Sequence, residues 1–313
     1  KDCMMNSIIS LYKGYKLKKK LEIAVIGAGA ISEPHIGALT GMEDARVTAV
    51  ADIVLNKAEK LAARYPIKAY ADYNEMLDME KPDIVIIALP HFLHKQAAVD
   101  CAERGCNILL EKPMAMNEQE CSDIINMCEN HGVKLMIGHI RHFYNYYNKI
   151  KEIIQSKMLG ELIMITNTRY GNYFSPSRSD WFLHKKTAGG GIVMNLGAHS
   201  FDIIQYLSGS KVKTVSAKVG EFADGIEVEG NSQIFAVLES GVTASITLSG
   251  YESVPRHETE LIFTKGMIKT TDANGGTLFV SKNGIYEEIE VNRGDPLRYQ
   301  MECFVKSINK NLP

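Results

Sequence analysis

Two short stretches set polar and ionisable side chains where they could move a proton or steady a developing charge. In the first, Glu111-Lys112-Pro113 follows directly on the apolar run Cys106–Leu110. A lysine at the carboxyl end of a parallel strand lies where ligands of such sheets bind. Its ammonium can donate to a substrate oxygen and stabilise negative charge there. Lys112–Pro113 is also a candidate cis peptide. The second stretch is GGGIVMNLGAHSFD, residues 189–202, where three glycines open a helix expected from Gly189 to Leu207. Asn195, His199 and Asp202 fall at i, i+4 and i+7, on one helical face. The positions around them (Ile192, Met194, Leu196, Phe201, Ile203) are apolar, so this polar stripe needs partners, and a substrate is one candidate. Taken singly, these residues also fit a solvated strand-end lysine and a satisfied core histidine.

The element that must position such a site is Leu21 to Leu39, LEIAVIGAGAISEPHIGAL. Its apolar start reads as a strand buried on both faces. The chain then turns at Gly27-Ala28-Gly29 and resumes as a helix. Gly27 makes the tight turn, and Gly29 lets the backbone approach a pyrophosphate at the helix N-terminus. Ser32 stands where a third glycine is usual, and is small enough for helix–strand packing. A second strand, RVTAVAD, ends at Asp52, 25 residues beyond Gly27. A carboxylate at that offset accepts from adenosine ribose hydroxyls and repels a 2′-phosphate, which favours NAD over NADP.

The order of elements predicts an α/β protein whose first half is a doubly wound parallel sheet. Strands are expected at Asp83–Leu89, Cys106–Leu110 and Val133–Ile137, alternating with helices at Val54–Tyr65, Asp72–Met79, His91–Arg104 and Asn117–His131. Beyond about residue 138 come helices at Phe143–Met158 and Gly189–Leu207, a strand and polar loop from Glu161 to Trp181, and then strand after strand alternating at period two. Asn283-Gly284 marks a hairpin, and Leu297–Ile308 reads as a last helix. The expected division is an extension at 1–20, poorly ordered, a nucleotide-binding domain at 21–138, and an α+β domain with a mostly antiparallel open sheet at 139–313.

At 313 residues, the chain is long enough for two cores, and its 45% hydrophobic and 23% charged content is that of a globular protein. A net charge of −2 gives no reason to propose nucleic acid or an anionic membrane as partner. No apolar run reaches the ~20 residues a spanning helix needs. The six cysteines form no C-x-x-C and no metal-type pairing, so no metal is expected, and a reduced, cytoplasmic setting is.

GAGAIS followed by His35, ALPHFLH at 88–94, EKP at 111–113 and GGGIVMNLGAHSFD at 189–202 occur in an order and spacing that resembles the glucose–fructose oxidoreductase/inositol dehydrogenase/MocA-like (Gfo/Idh/MocA) family. The resemblance runs from about residue 21 over essentially the whole chain. It implies a Rossmann domain, a C-terminal domain whose open sheet assembles homodimers or homotetramers, and nicotinamide-dependent chemistry on sugars, sugar derivatives or cyclitols. Lys112 and His199 are then the implied catalytic pair, with His199 as general base. The implied cofactor set is Gly27, Gly29, Ala30, Ile31, Asp52, Pro90, His94, Glu111 and Lys112. Asn195 and Asp202 are implied to orient His199 or bind hydroxyls. Asn195 stands where inositol-dehydrogenase-like members carry an acid, although other members have Asn. It cannot support a protonated His199 electrostatically, which weighs against an inositol-type substrate. The loop from Arg169 to Lys186 is expected to line the substrate side, with Trp181 and Tyr173 able to stack on a sugar face and Arg178 able to meet an anionic group. Two other readings stay open: a cofactor-binding regulator without turnover, and a sugar–sugar oxidoreductase whose cofactor stays bound.

Overall fold

The computed structural model describes residues 20–220, 226–272 and 276–312. The extension expected at 1–20 lies, apart from Lys20, outside the described residues. The chain first builds a six-stranded parallel sheet from β1 (Leu21–Ile26), β2 (Ala45–Ala51), β3 (Lys68–Tyr70), β4 (Ile84–Ile87), β5 (Asn107–Leu110) and β6 (Leu135–Ile137), in the order β3-β2-β1-β4-β5-β6. Its helices are α1 (Ser32–Leu39), α2 (Leu55–Ala62), α3 (Tyr73–Glu80), α4 (His94–Glu103) and α5 (Glu118–His131). Side chains alternate between two apolar layers, as the two-residue strand period demands. Ala24, Ile26, Val85, Ile87, Ile108 and Leu110 enter one layer. Ile23, Val25, Ile84, Ile86 and Leu109 enter the other. Asp72 and Asn117 cap α3 and α5 by accepting from Asn74 N and Glu120 N.

The second unit follows α6 (Asn145–Ser156). Its eight strands are β7 (Leu162–Tyr170), β8 (Val212–Gly220), β9 (Asn231–Leu238), β10 (Thr243–Ser249), β11 (Arg256–Phe263), β12 (Gly266–Thr271), β13 (Thr277–Lys282) and β14 (Ile285–Ile289). They run in the order β14-β13-β12-β11-β7-β10-β9-β8, antiparallel throughout except where β7 meets β10. One face packs on α6 and on α8 (Ala198–Ser208) through Tyr147, Ile150, Ile203 and Ile204. Met164 and Phe235 remain exposed. The expected helix from Gly189 to Leu207 forms with a later start and an internal π-helical turn. The short α7 (Lys185–Ala188) ends at Gly189 in the left-handed region, helical backbone resumes at Ile192, passes through a π-helical turn at Val193–Gly197 and runs on without interruption as α8.

The last helix, α9 (Pro296–Lys310), does not stay with the second sheet. Asp295 caps it, and Met301, Phe304 and Val305 return to the first unit, completing the layer that holds Ile23, Val25, Ile36 and Leu39. No helix among the described residues is long and apolar enough to cross a membrane.

Phe304 is 2% exposed. Phe304→Ala is expected to cost about 3–5 kcal/mol of stability by opening a cavity beneath the first sheet. Urea denaturation checks this, and an unchanged midpoint would place α9 elsewhere.

Candidate active site

The glycine turn is shaped by steric necessity. Gly27 has φ +99°, and a Cβ built there would lie 2.4 Å from the Ala88 carbonyl oxygen at the end of β4. Gly29 is the opposite case, because a Cβ there meets nothing within 4 Å. Ala30 and Ile31 are exposed beside it, and no side chain caps the start of α1. Open space in front of an uncapped helix N-terminus is a phosphate cradle. Asp52, just past β2, accepts from Ala28 N (2.9 Å) and Val54 N (2.9 Å), fixing its carboxylate at the cradle's rim. Ser32, at the third-glycine position, is fully buried, so a small side chain does fill that contact. The chemistry of these residues could hold a dinucleotide, with Gly29, Ala30 and Ile31 available to its phosphates and Asp52 to its ribose.

The ends of β4 and β5 are tied to this cradle. Glu111 bonds His35 Nε2 of α1 at 2.8 Å. Burial opposes its ionisation, but His35 and Lys112 keep its carboxyl below the usual range. Lys112–Pro113 is cis. Lys112 Nζ donates to Asn195 Oδ1 at 2.7 Å, in the π-helical turn of the second unit. That turn forms where the glycine run presses on a neighbouring segment. A Cβ on Gly191 would lie 2.1 Å from Glu229 O, while Ile192 N and Val193 N donate to Glu229. Such π segments recur at functional sites.

Enclosure pushes Lys112 down to about 8, against the pull of Glu111 and with the help of Arg141, Arg169 and Arg178. Enclosure and the charges of Lys112, Arg141 and Arg169 push His199 well below its ordinary value. His199 Nδ1 is buried with no hydrogen-bond partner. The site therefore combines a neutral imidazole with an ammonium that can lose its proton near neutrality.

Two family models cover most of the chain: "Oxidoreductase family, NAD-binding Rossmann fold" over residues 21–139 and "GFO/IDH/MocA C-terminal domain" over residues 147–269. The chain belongs to the Gfo/Idh/MocA oxidoreductase family. Among its relatives, it is 26% identical over 267 residues to a 2,7-anhydro-N-acetylneuraminate hydratase of Mediterraneibacter gnavus, covering 84% of this chain and 70% of that protein. It is 27% identical over 237 residues to an inositol 2-dehydrogenase of Arthrobacter, covering 74% of this chain and 68% of that protein. The aldose-aldose oxidoreductase of Caulobacter crescentus shares the fold, with a TM-score of 0.86 at 23% identity, over 94% of this chain and 90% of that one.

Within this Gfo/Idh/MocA chain, several residues sit differently from expectation. His94 is fully buried, and its Nδ1 and Nε2 face the carbonyls of Pro113 and Leu89, both at 2.9 Å, so it braces two loops and has no ring edge left for a cofactor. Asp202 does not reach His199. It accepts from His142 Nε2 at 2.8 Å and lies 3.5 Å from His139 Nδ1. Arg169 is not a loop residue but part of β7, and it shares the Asp272 carboxylate with Arg141. Burial alone would raise Asp272, but those two guanidiniums hold it at about 2. Tyr173 is 1% exposed, so it cannot stack on a sugar, and its ring carries Arg178 instead. Trp181 is half-buried between Phe182 (3.6 Å, stacked) and His91 (4.8 Å, edge-on), packing one unit against the other. Pro90 sits at the end of β4 and leads into a short 3-10 turn at His91–Leu93.

His139 and Arg141 were missed from sequence, although they follow β6 as Lys112 follows β5, at the same carboxyl edge of the sheet. That placement was the available signal.

The two motif glycines should respond differently. Gly27→Ala is expected to lose about 1–2 kcal/mol from backbone strain alone, besides its clash with Ala88. Gly29→Ala should keep stability within about 0.5 kcal/mol while weakening dinucleotide binding. Thermal unfolding and dinucleotide titration of both variants separate the two effects.

Proposed function

We propose that this protein transfers a hydride between NAD and a secondary alcohol, or the matching ketone, of a sugar, sugar derivative or other polyol. The observation that supports this most is that Lys112, at the sheet edge that also carries the glycine cradle, bonds Asn195 four residues before His199, near enough for its charge to act on that imidazole. Neutral His199 takes the proton from the substrate hydroxyl, and Lys112 Nζ donates to the same oxygen as its charge develops. A bound nicotinamide supplies the hydride acceptor. Asn195 aims the ammonium, and Glu111 joins its backbone to α1 through His35. Asp202 serves His139 and His142 rather than His199, and so is a positioning residue at the edge of the site.

NAD is favoured over NADP because the Asp52 carboxylate is held at the rim by two backbone N–H groups, where a 2′-phosphate would meet like charge. Calorimetry with NAD+ and NADP+ is expected to show clear preference for NAD+, reduced in Asp52→Ala. Equal binding of both by the unaltered protein would refute the choice. The exposed Met164 and Phe235 support assembly through the open sheet, as a homodimer or homotetramer.

The hydratase name of one relative favours a second reading. Adding water involves no net oxidation, so a nicotinamide in such a site must return to its starting state within each turnover. Nicotinamide absorbance copurifying with the protein, and turnover without added cofactor, would select this reading over a dehydrogenase.

The proton states give a pH dependence. His199 is neutral across the physiological range, and Lys112 is charged below about 8 and loses its proton above it. Alcohol oxidation, measured as kcat/KM, should therefore hold through neutral pH and fall above about 8. Lys112→Arg should remove that fall, because a guanidinium keeps its charge. His199→Ala should lower kcat about 10²–10⁴-fold, and near-normal turnover would reassign the base.

A further inference from the structure

Every carboxylate near the site is already engaged. Glu111 bonds His35, Asp202 bonds His142, and Asp272 is shared by Arg141, Arg169 and Tyr146. Glu229 accepts from Val193 N. Among the described residues around the site, two cations meet none of these carboxylates: Lys112, whose Nζ is taken up by the oxygens of Asn195, and Arg178, which stands over aromatic rings. Its guanidinium carbon stands 4.1 Å over the Tyr173 ring and 4.8 Å over Phe182. Its Nε is buried with no hydrogen-bond partner.

Arg178 also belongs to the reacting centre by a short chain of contacts. Lys112 Nζ reaches Asn195 Oδ1 at 2.7 Å, the Asn195 side chain lies beside the Tyr173 hydroxyl, and the Arg178 guanidinium stands over the ring of that same tyrosine. Cation–π contact does not neutralise a guanidinium, whose five N–H donors form a planar fork. With Nε buried and unpaired, Arg178 keeps donors unspent. A planar, two-oxygen anion is the group that matches such a fork. A neutral hydroxyl accepts without compensating the charge, and a buried donor left unpaired is costly.

We propose that the natural substrate is a carboxylated polyol, a sugar acid of the uronate or aldonate class, whose carboxylate is received by Arg178 while its hydroxyl lies at Lys112 and His199. This rests on the polyol oxidoreductase reading above and narrows it. The carboxylate fixes the distance between the anionic end and the reacting carbon, so Arg178 selects which hydroxyl is presented.

Two matched pairs test it: gluconate against glucitol, and galacturonate against galactose. Each is titrated calorimetrically into NADH-saturated protein and assayed for NAD+ reduction. The carboxylated member of at least one pair should bind about tenfold tighter or more. That preference should collapse towards parity in Arg178→Gln and return in part in Arg178→Lys. No preference in either pair, or a preference that survives Arg178→Gln, overturns the proposal. Saturation by NADH and turnover of a neutral member without acid preference would sink the carboxylate alone. Failure to bind NADH would sink the parent reading with it.

Discussion

An enclosed ammonium with a neutral partner is the interaction on which this architecture turns. Lys112 leaves the first sheet and ends on the side-chain oxygen of Asn195, in the second unit. An acid there would hold the proton on Lys112. An amide satisfies the hydrogen bond and leaves the charge uncompensated, so enclosure and three nearby guanidiniums bring the ammonium to the edge of titration. Burial, with the same positive surroundings, keeps His199 neutral. Enclosure thus sets the proton state of both groups, while the amide oxygen of Asn195 holds the ammonium without compensating its charge.

Histidines join the pieces around that contact. His35 links α1 to Glu111, His94 spans the carbonyls of Leu89 and Pro113, and His91 Nδ1 pairs with the Ala188 carbonyl at 2.8 Å across the two units. Burial drives His91 down to about 4, so it acts there as a neutral connector rather than an acid or base. Loops at the carboxyl edge of a parallel sheet have no ladder to hold them, and these side-chain bonds to backbone supply the missing order.

Much of this was legible from sequence because local chemistry dictated it. The turn at Asn283-Gly284 takes φ +51° and +78°, as a two-residue hairpin of that composition requires. Asp72 and Asn117 cap their helices, and Gly27 meets a clash that excludes any side chain. The family motifs named Lys112 and Asn195, which the fold brings into contact, but did not announce every partner. The i, i+7 spacing predicts a shared face for Asn195 and Asp202, but a π-helical turn lies between them, and Asp202 finds His142, 60 residues earlier. The π-helical turn was invisible because its cause, Gly191 against the Glu229 backbone, lies 38 residues downstream. Arg169 pairs with Asp272 across 103 residues, a match no local pattern announces.

The return of α9 to the first sheet has a consequence for how the chain matures on the ribosome. Ile23 and Val25 are among the earliest core residues to emerge, but the layer they line is closed by Met301, Phe304 and Val305. Until residue 305 has cleared the exit tunnel, the α1 and α2 residues of that layer (Ile36, Leu39, Ala58, Leu61) lack their α9 partners, while the whole second unit is made in between. At a synthesis rate of roughly 5–20 residues per second, that leaves the layer incomplete for many seconds. The first unit thus waits for the last helix to close its core.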